Sequence, residues 1–422
     1  MMKKKILEMA KTLIAKKNLR TRLSTAIFGL GFFLSLMTLP FAAFAKEPIK
    51  VGVPYPMAGP YAADGAEIIA GVTMAVEEIN KQGGLIGRPL KIVTADTKVL
   101  SPEEVDTAAK ILAREGVDVF IAGYQNYPAC LVFGEYDIIY ISNDANSFFH
   151  KAYLEEPKKY WNVIQMAGVE SNYGHDAFRT MTKLLPYKVG SKKVAIFTAE
   201  NDYTMNISRS FKEAAEQAGW EVVIDELHPW GTTDFGVQMA KIRGLDLIIF
   251  ASIIDLREAS AFMREFLKRP SNSLVYFQYS PSIPVFINVV GKASEGIIWQ
   301  IENAPIPGLR ADEWTKRYIK RFERNPGFGQ ASLLYDSVNV WAQAVRKVGK
   351  IDQRAIAKAI INSEYKGVTG VYTYNASDQY AKTGYENVPM HFYQIQDGKH
   401  VLLFLDDQPI GKFRLPSWIK NR

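Results

Sequence analysis

The sequence has little cysteine, little histidine, and no surplus charge beyond its first segment. A single cysteine excludes an internal disulfide framework and any cysteine-cluster zinc site. Cys130 lies in the apolar run Ala129–Phe133 and reads as a buried, inert thiol rather than a nucleophile. The histidines, His150, His175, His228, His391 and His400, show no metal-ligand spacing. No H-E-x-x-H, G-x-S-x-G or phosphate-loop pattern occurs. Gly83-Gly84-Leu85-Ile86-Gly87 follows a helical stretch, where a dinucleotide fingerprint would follow a strand, and reads as a turn. Nothing here argues for an enzyme, and no cofactor or metal is expected. The formal charge of +7 suggests nucleic acid at first sight. Its location removes that reading. Lys3, Lys4, Lys5, Lys11, Lys16, Lys17, Arg20 and Arg22 face Glu8 alone in residues 1–45, and acids and bases balance after Ala45.

What is present begins with the layout of a secretory signal. A basic stretch runs to Arg22, an apolar run spans Ala26 to Met37, and Pro40 precedes Ala43-Phe44-Ala45, the small residues a signal peptidase needs. The competing reading is an uncleaved anchor, but a spanning helix wants ~20 apolar residues and this run is shorter. No cysteine sits at the cleavage site, so lipid attachment there is excluded. The expectation is cleavage after Ala45 and a soluble periplasmic protein, Lys46–Arg422, that is not a lipoprotein.

The composition of the whole chain is globular, with 48% hydrophobic and 23% charged residues. From Lys46 onward, strand and helix patterns alternate. Ile49–Val53 reads as a strand, Glu67–Asn80 as a helix with an apolar face at Ile68, Val72, Ala75, Val76 and Ile79, and Leu90–Thr94 as the next strand. A second series starts near Ser191, with strands at Val194–Thr198, Trp220–Asp225, Leu245–Ala251, Leu274–Gln278 and Gly296–Gln300. Strands apolar throughout, such as Leu247–Phe250, are what a parallel sheet covered on both faces requires. Two such series imply an α/β protein with two doubly wound lobes. The tail, with helices at Asp312–Arg324, Ser332–Val348 and Gln353–Asn362 and strands at Gly370–Asn375, Met390–Gln394 and Val401–Leu405, is expected to supplement both lobes.

In an open α/β sheet, ligands bind beyond the carboxyl ends of the strands. The loops there carry amides, carboxylates and tyrosines: Pro56–Gly65, Gly123–Tyr127, Asn143–Asn146, Glu200–Tyr203, Ser252–Asp255 and Gln278–Ser280. Such a mixture suits a small polar ligand with an apolar or aromatic part.

The stretch KVGVPYPMAGPYAADGAEIIAGVTMAVEEINKQGGLIGRPLKIVTADTK resembles the opening of the leucine/isoleucine/valine-type periplasmic binding proteins, the receptors of ABC importers. The likeness continues at KKVAIFTAENDYTMNISRSFKEAAEQAGWEVV, at TTDFGVQMAKIRGLDLIIFAS, and at LLYDSVNVWAQAV and GVTGVYTYN. The resemblance implies two Rossmann-like lobes joined by three crossovers, the type I fold of that family. It divides the chain into a signal peptide at 1–45, a first lobe of 46–168 with 303–386, and a second of 169–302 with 387–422. It implies a receptor that closes on a small molecule and hands it to ABC permease subunits in the inner membrane. A monomer that binds no nucleic acid is expected. A sensor of the same fold and an exported enzyme are the alternatives.

Carried over by position, the family's first-loop contact falls on Asp64, and its carboxylate-gripping hydroxyl falls around Gln125–Tyr127, where only Tyr offers one. The segment that usually ends in Thr is here Asn143-Asp144-Ala145-Asn146. The second-lobe Tyr is kept as Tyr203, and Asp255 is the substitute for the acid that holds an ammonium. The ligand-binding candidates are therefore Tyr61, Asp64, Tyr124, Asn126, Tyr127, Asp144, Ala145, Asn146, Tyr203, Asp255 and Tyr279. With Asn at the hydroxyl positions and acids at Asp64 and Asp144, leucine-like amino acids should bind poorly. The expected ligand is neutral or cationic, or carries an aromatic or amide portion.

Overall fold

A computed structural model describes residues 46–125, 129–308 and 310–420. The expected signal segment and the candidates Asn126 and Tyr127 lie outside the described residues. A five-stranded parallel sheet comes first in the chain. Its strands are β1 (Ile49–Tyr55), β2 (Leu90–Asp96), β3 (Val119–Ala122), β4 (Tyr140–Ser142) and β5 (Val163–Gln165), in the order β2-β1-β3-β4-β5. The chain then builds β6 (Lys193–Ala199), β7 (Glu221–His228), β8 (Ile248–Ser252), β9 (Leu274–Gln278) and β10 (Ile298–Glu302), which repeat that order as β7-β6-β8-β9-β10. A small antiparallel pair, β11 (Tyr365–Lys366) and β12 (Val371–Tyr372), stands apart. Three last strands, β13 (Met390–Gln396), β14 (Lys399–Leu405) and β15 (Gln408–Pro409), extend the second sheet antiparallel from β10 to make eight strands. The two lobes of the type I fold follow from this repetition, and the chain passes between them three times: after β5, after β10 and before β13.

Each sheet is sealed on both faces. In the first, Val51, Val53 and Ile121 pack with the helices Ala62–Lys81, Arg310–Phe322, Gln330–Val348 and Gln353–Ile361. The opposite face packs Phe120, Ala122 and Tyr140 against the helix Pro102–Arg114 and the turn at Ala129–Glu135. The tail helices join this core through close backbone approach: a Cβ on Gly71 would lie 2.1 Å from the Ala331 carbonyl oxygen. Local chemistry fixes the helix starts. Ser101 accepts from the Glu104 N–H while the Glu104 carboxylate accepts from the Ser101 N–H, with Pro102 at the first helical position. The second lobe has one core running through β6, β8, β9 and β10 with the helices Asp202–Gln217 and Leu256–Lys268.

Some details differ from the sequence reading, among them the short strands β11 and β15 and the helix Phe148–Glu155, which it does not contain. The first helix begins at Ala62, ahead of the expected Glu67, because its small residues allow its first turn to sit against β1. A Cβ on Gly65 would meet the Pro56 carbonyl oxygen at 1.8 Å. The stretch Gly370–Asn375 supplies only Val371–Tyr372 as strand, and Tyr374 is held by an isolated bridge to Ala381. β5 and the helix Ser171–Arg179 are additional: a strand of three residues shows no period to read. Among the described residues no helix is long and apolar enough to cross a membrane, and no group of His, Cys, Asp and Glu could hold a metal ion.

Candidate ligand cleft

The carboxyl ends of both sheets face one cavity of about 150 Å³. Dry engineered cavities near that size accept benzene, so the space suits a molecule of roughly benzene size. Tyr61, Tyr124, Asp144 and Ala145 line it from the first lobe, and Tyr203 and Tyr279 from the second.

Tyr203 is placed by the start of its helix. Asn201 caps the helix Asp202–Gln217, its side chain accepting from the Tyr203 N–H at 3.0 Å. The ring therefore stands in the first turn, beside the end of β6. Its hydroxyl accepts from Gln278 Nε2 at 2.9 Å, and Gln278 Oε1 accepts from Tyr276 at 2.5 Å. The Tyr203 proton is not used by that bond. Tyr279 follows β9 with φ +65° and ψ −52°, a conformation that costs a non-glycine residue about 1–3 kcal/mol. The Ser282 N–H donates to its carbonyl at 2.7 Å and holds the turn.

Asp64 is not a cleft wall. It lies buried in the first turn of the helix Ala62–Lys81, behind the tyrosines. Tyr124 donates to its Oδ2 at 2.9 Å and Tyr279 to its Oδ1 at 3.2 Å. Burial pushes its carboxyl up to about 6, against the two hydroxyl donors that pull it down. Asp144 lines the cleft, and its Oδ2 accepts the Gln125 backbone N–H at 2.8 Å. Burial holds its carboxyl well above the usual range; the Gln125 N–H opposes this, and the nearby Glu170 adds to it. Asn146 lies beneath: its Oδ1 accepts the Phe149 N–H at 3.3 Å, and its carbonyl accepts from Tyr380 at 2.6 Å. Asp255 caps the helix Leu256–Lys268, accepting from the Arg257 N–H at 2.7 Å and pairing with its guanidinium at 3.0 Å. That capping role, with a cation already beside it, is where its carboxylate is used.

The sequence reading places neither Trp230 nor Glu302 in the site, yet both line the cavity. Each follows or ends a strand, β7 and β10, so the sheet-end rule applied to every strand reaches them. Trp230 is set by Gly231, which has φ +88° and whose N–H donates to the buried Glu258 carboxylate. Glu302 Oε2 accepts the Gly168 N–H at 2.9 Å, and the Glu302 N–H donates to the Tyr173 hydroxyl at 3.2 Å. Burial pushes the Glu302 carboxyl up to about 8, with Asp176 and Asp406 adding to the shift. Among the described residues that line the cavity there is no lysine, arginine or histidine.

Residues 48–399 match the family described as periplasmic binding protein. The Leu/Ile/Val-binding protein homolog 1 of Brucella abortus (strain 2308) is 25% identical over 357 residues, covering 82% of this chain and 91% of the relative. A crystal structure named for a branched-chain amino acid ABC transporter of Silicibacter pomeroyi superposes with a TM-score of 0.80 at 26% identity, over 88% of this chain and 100% of that one. A solute-binding protein of R. palustris in complex with benzoate shares the fold, with a TM-score of 0.69 at 19% identity over 86% and 98% of the two chains.

Proposed function

The chain belongs to the periplasmic binding protein family, and we propose that it captures a small polar molecule outside the cytoplasm and delivers it to the permease of an ABC importer. The observation that carries this reading is the cleft itself. Two sheets of the same strand order turn their carboxyl ends toward one cavity, and Tyr279 of the second lobe bonds Asp64 of the first across it. A ligand seated there touches both lobes, so its binding free energy favours the closed arrangement. A permease that docks the closed form then distinguishes loaded from empty receptor.

On this reading the mature protein starts at Lys46 and works as a monomer, with no lipid anchor. Its lobes comprise 46–168 with 303–386, and 169–302 with 387–422. The ligand lies against Tyr61, Tyr124, Asp144, Ala145, Tyr203 and Tyr279. Asp64 holds two of those rings in place. The names of the relatives, which mention branched-chain amino acids and benzoate, support a ligand of that size.

Uptake of radiolabelled ligand by host cells tests the transport role. Cells lacking this protein should lose high-affinity uptake and recover it on complementation. Undiminished uptake alongside saturable binding by the purified protein would make the chain a sensor instead.

A further inference from the structure

Six aromatic rings run round the cavity in an unbroken chain. Trp230 and Tyr61 have centroids 6.4 Å apart at 55°, Tyr61 and Tyr124 6.1 Å at 78°, and Tyr124 and Tyr279 6.0 Å at 90°. Tyr279 and Tyr203 follow at 6.3 Å and 83°, then Tyr203 and Tyr173 at 6.3 Å and 65°. Rings set steeply against one another are not stacked in pairs. Each edge-to-face contact engages one face of a pair, so the rings not wholly covered by a neighbour keep a face toward the cavity, and such cages attract organic cations.

The polar groups point the same way. Tyr124 and Tyr279 both spend their protons on Asp64, so their oxygens can otherwise only accept, and that of Tyr279 already accepts from Gln330 Nε2 at 3.5 Å. Gln330, 8% exposed, has an Oε1 with no partner among the described residues. The Gln125 side-chain amide, 3% exposed, is likewise unpartnered at both its oxygen and its nitrogen, and both glutamines line the cavity. Three acids line the cavity, Asp144 from the first lobe and Asp202 and Glu302 from the second, and no basic side chain among the described residues that line it offsets them. Burial favours the protonated form of Asp144 and Glu302 in the empty cleft, and a cation beside them favours their carboxylates. The backbone N–H of Gln125, a donor for an anion, already holds the carboxylate of Asp144. A carboxylate ligand would find donors in the Tyr203 hydroxyl and the Gln125 side-chain nitrogen, but beside three acids it would find no cation among the described lining residues to neutralise its charge.

We infer that the ligand is an organic cation: an alkyl- or arylalkylammonium that needs no carboxylate, with its charged nitrogen among the tyrosine rings between Asp144 and Glu302. This rests on the receptor reading above and narrows its substrate class. The ammonium N–H groups would satisfy the acceptors that the cavity exposes, and the apolar remainder would lie against Leu100, Ile254 and Leu333, which also line it.

The test compares matched pairs of compounds. Protein stripped of any resident molecule by unfolding and refolding is titrated calorimetrically with leucine against 3-methylbutylamine, its counterpart without the carboxylate, and with benzoate against benzylamine. The amine should bind at least tenfold tighter in each pair. Glu302→Gln should weaken amine binding at least tenfold, and circular dichroism of that variant should stay native. Leucine or benzoate binding as tightly as its amine would overturn the cation inference and leave the receptor reading standing, provided the scattering profile shows the lobes closing. If all four probes fail and no compound accompanies the native protein, both readings fall.

Discussion

The Tyr279 hydroxyl reaches from the loop after β9 to Asp64 Oδ1 in the other lobe, 3.2 Å away, while Tyr124 takes the second oxygen at 2.9 Å. One buried carboxylate thus sets the orientation of two cleft rings on opposite lobes. Asp64→Ala leaves both hydroxyls without their acceptor, and should weaken ligand binding by about 1–3 kcal/mol. Tyr279→Phe removes that bond and the long one accepted from Gln330 Nε2 at 3.5 Å, and should cost about 1 kcal/mol. Calorimetry on the two single variants and the double variant should give a coupling of about 0.5 kcal/mol or more. Strict additivity would mean that the contact does not help closure.

Stability should fall as pH rises through the range where Glu302 ionises. Its carboxyl is raised from 4.5 to about 8 in the folded protein. The folded state then keeps a proton that the unfolded chain has lost. That contribution is complete at low pH and disappears as pH climbs through about 8. Asp64 and Asp336, raised to about 6, act with the same sign but finish earlier. His391 and His400, lowered to about 4 by burial, act with the opposite sign and are neutral in both states well above 6.5. Around Glu302 stand Tyr173, Asp176 and Asp406, and Asp176 is paired with Arg179. Urea titrations of ligand-free protein from about pH 7 to about pH 8.5 should lose about 1 kcal/mol or more. Asp144 contributes in the same direction, so Glu302→Gln should reduce the slope without abolishing it. An unchanged slope in that variant would contradict the assignment.

Gly71 marks the closest approach of the tail to the first lobe. Its added Cβ would lie 2.1 Å from a backbone oxygen, which no side-chain rotation relieves. Gly71→Ala should destabilise the protein by about 1–3 kcal/mol in equilibrium unfolding, and Gly71→Val by more. An unaffected midpoint would mean that the helix Gln330–Val348 is free to shift.

Ligand binding should close the lobes about their three crossovers. Small-angle scattering should show a smaller radius of gyration at saturation than in the stripped protein. An identical profile would argue for a receptor held closed, with the permease reading something other than lobe position.

Much of this arrangement is legible in the residues. The uniformly apolar strands and the single-faced helices identify a doubly wound protein, because burial on both faces of a parallel sheet leaves a continuous signature. Tyr61, Tyr124, Asp144, Tyr203 and Tyr279 stand at strand ends, and the rule that ligands bind there singles them out. What the pattern hides is depth. Asp64 and Tyr124 both belong to strand-end segments, but one lies behind the other, and only their hydrogen bond separates a wall from its support. Asp255 looks like a ligand carboxylate until its helix is seen to begin one residue later. Trp230 enters from β7, an edge strand whose pattern is half polar, and Glu302 ends β10, which read as a strand stopping at Gln300.

The most direct measurement is mass spectrometry of whatever small molecule the native protein carries from its own host, beside the same preparation of Tyr203→Ala. One unmodified organic cation is expected, near one per protein, released intact on denaturation and missing from the variant. A bound amino acid or other carboxylic acid, or a compound that Tyr203→Ala retains as fully as the natural protein, would overturn the cation assignment.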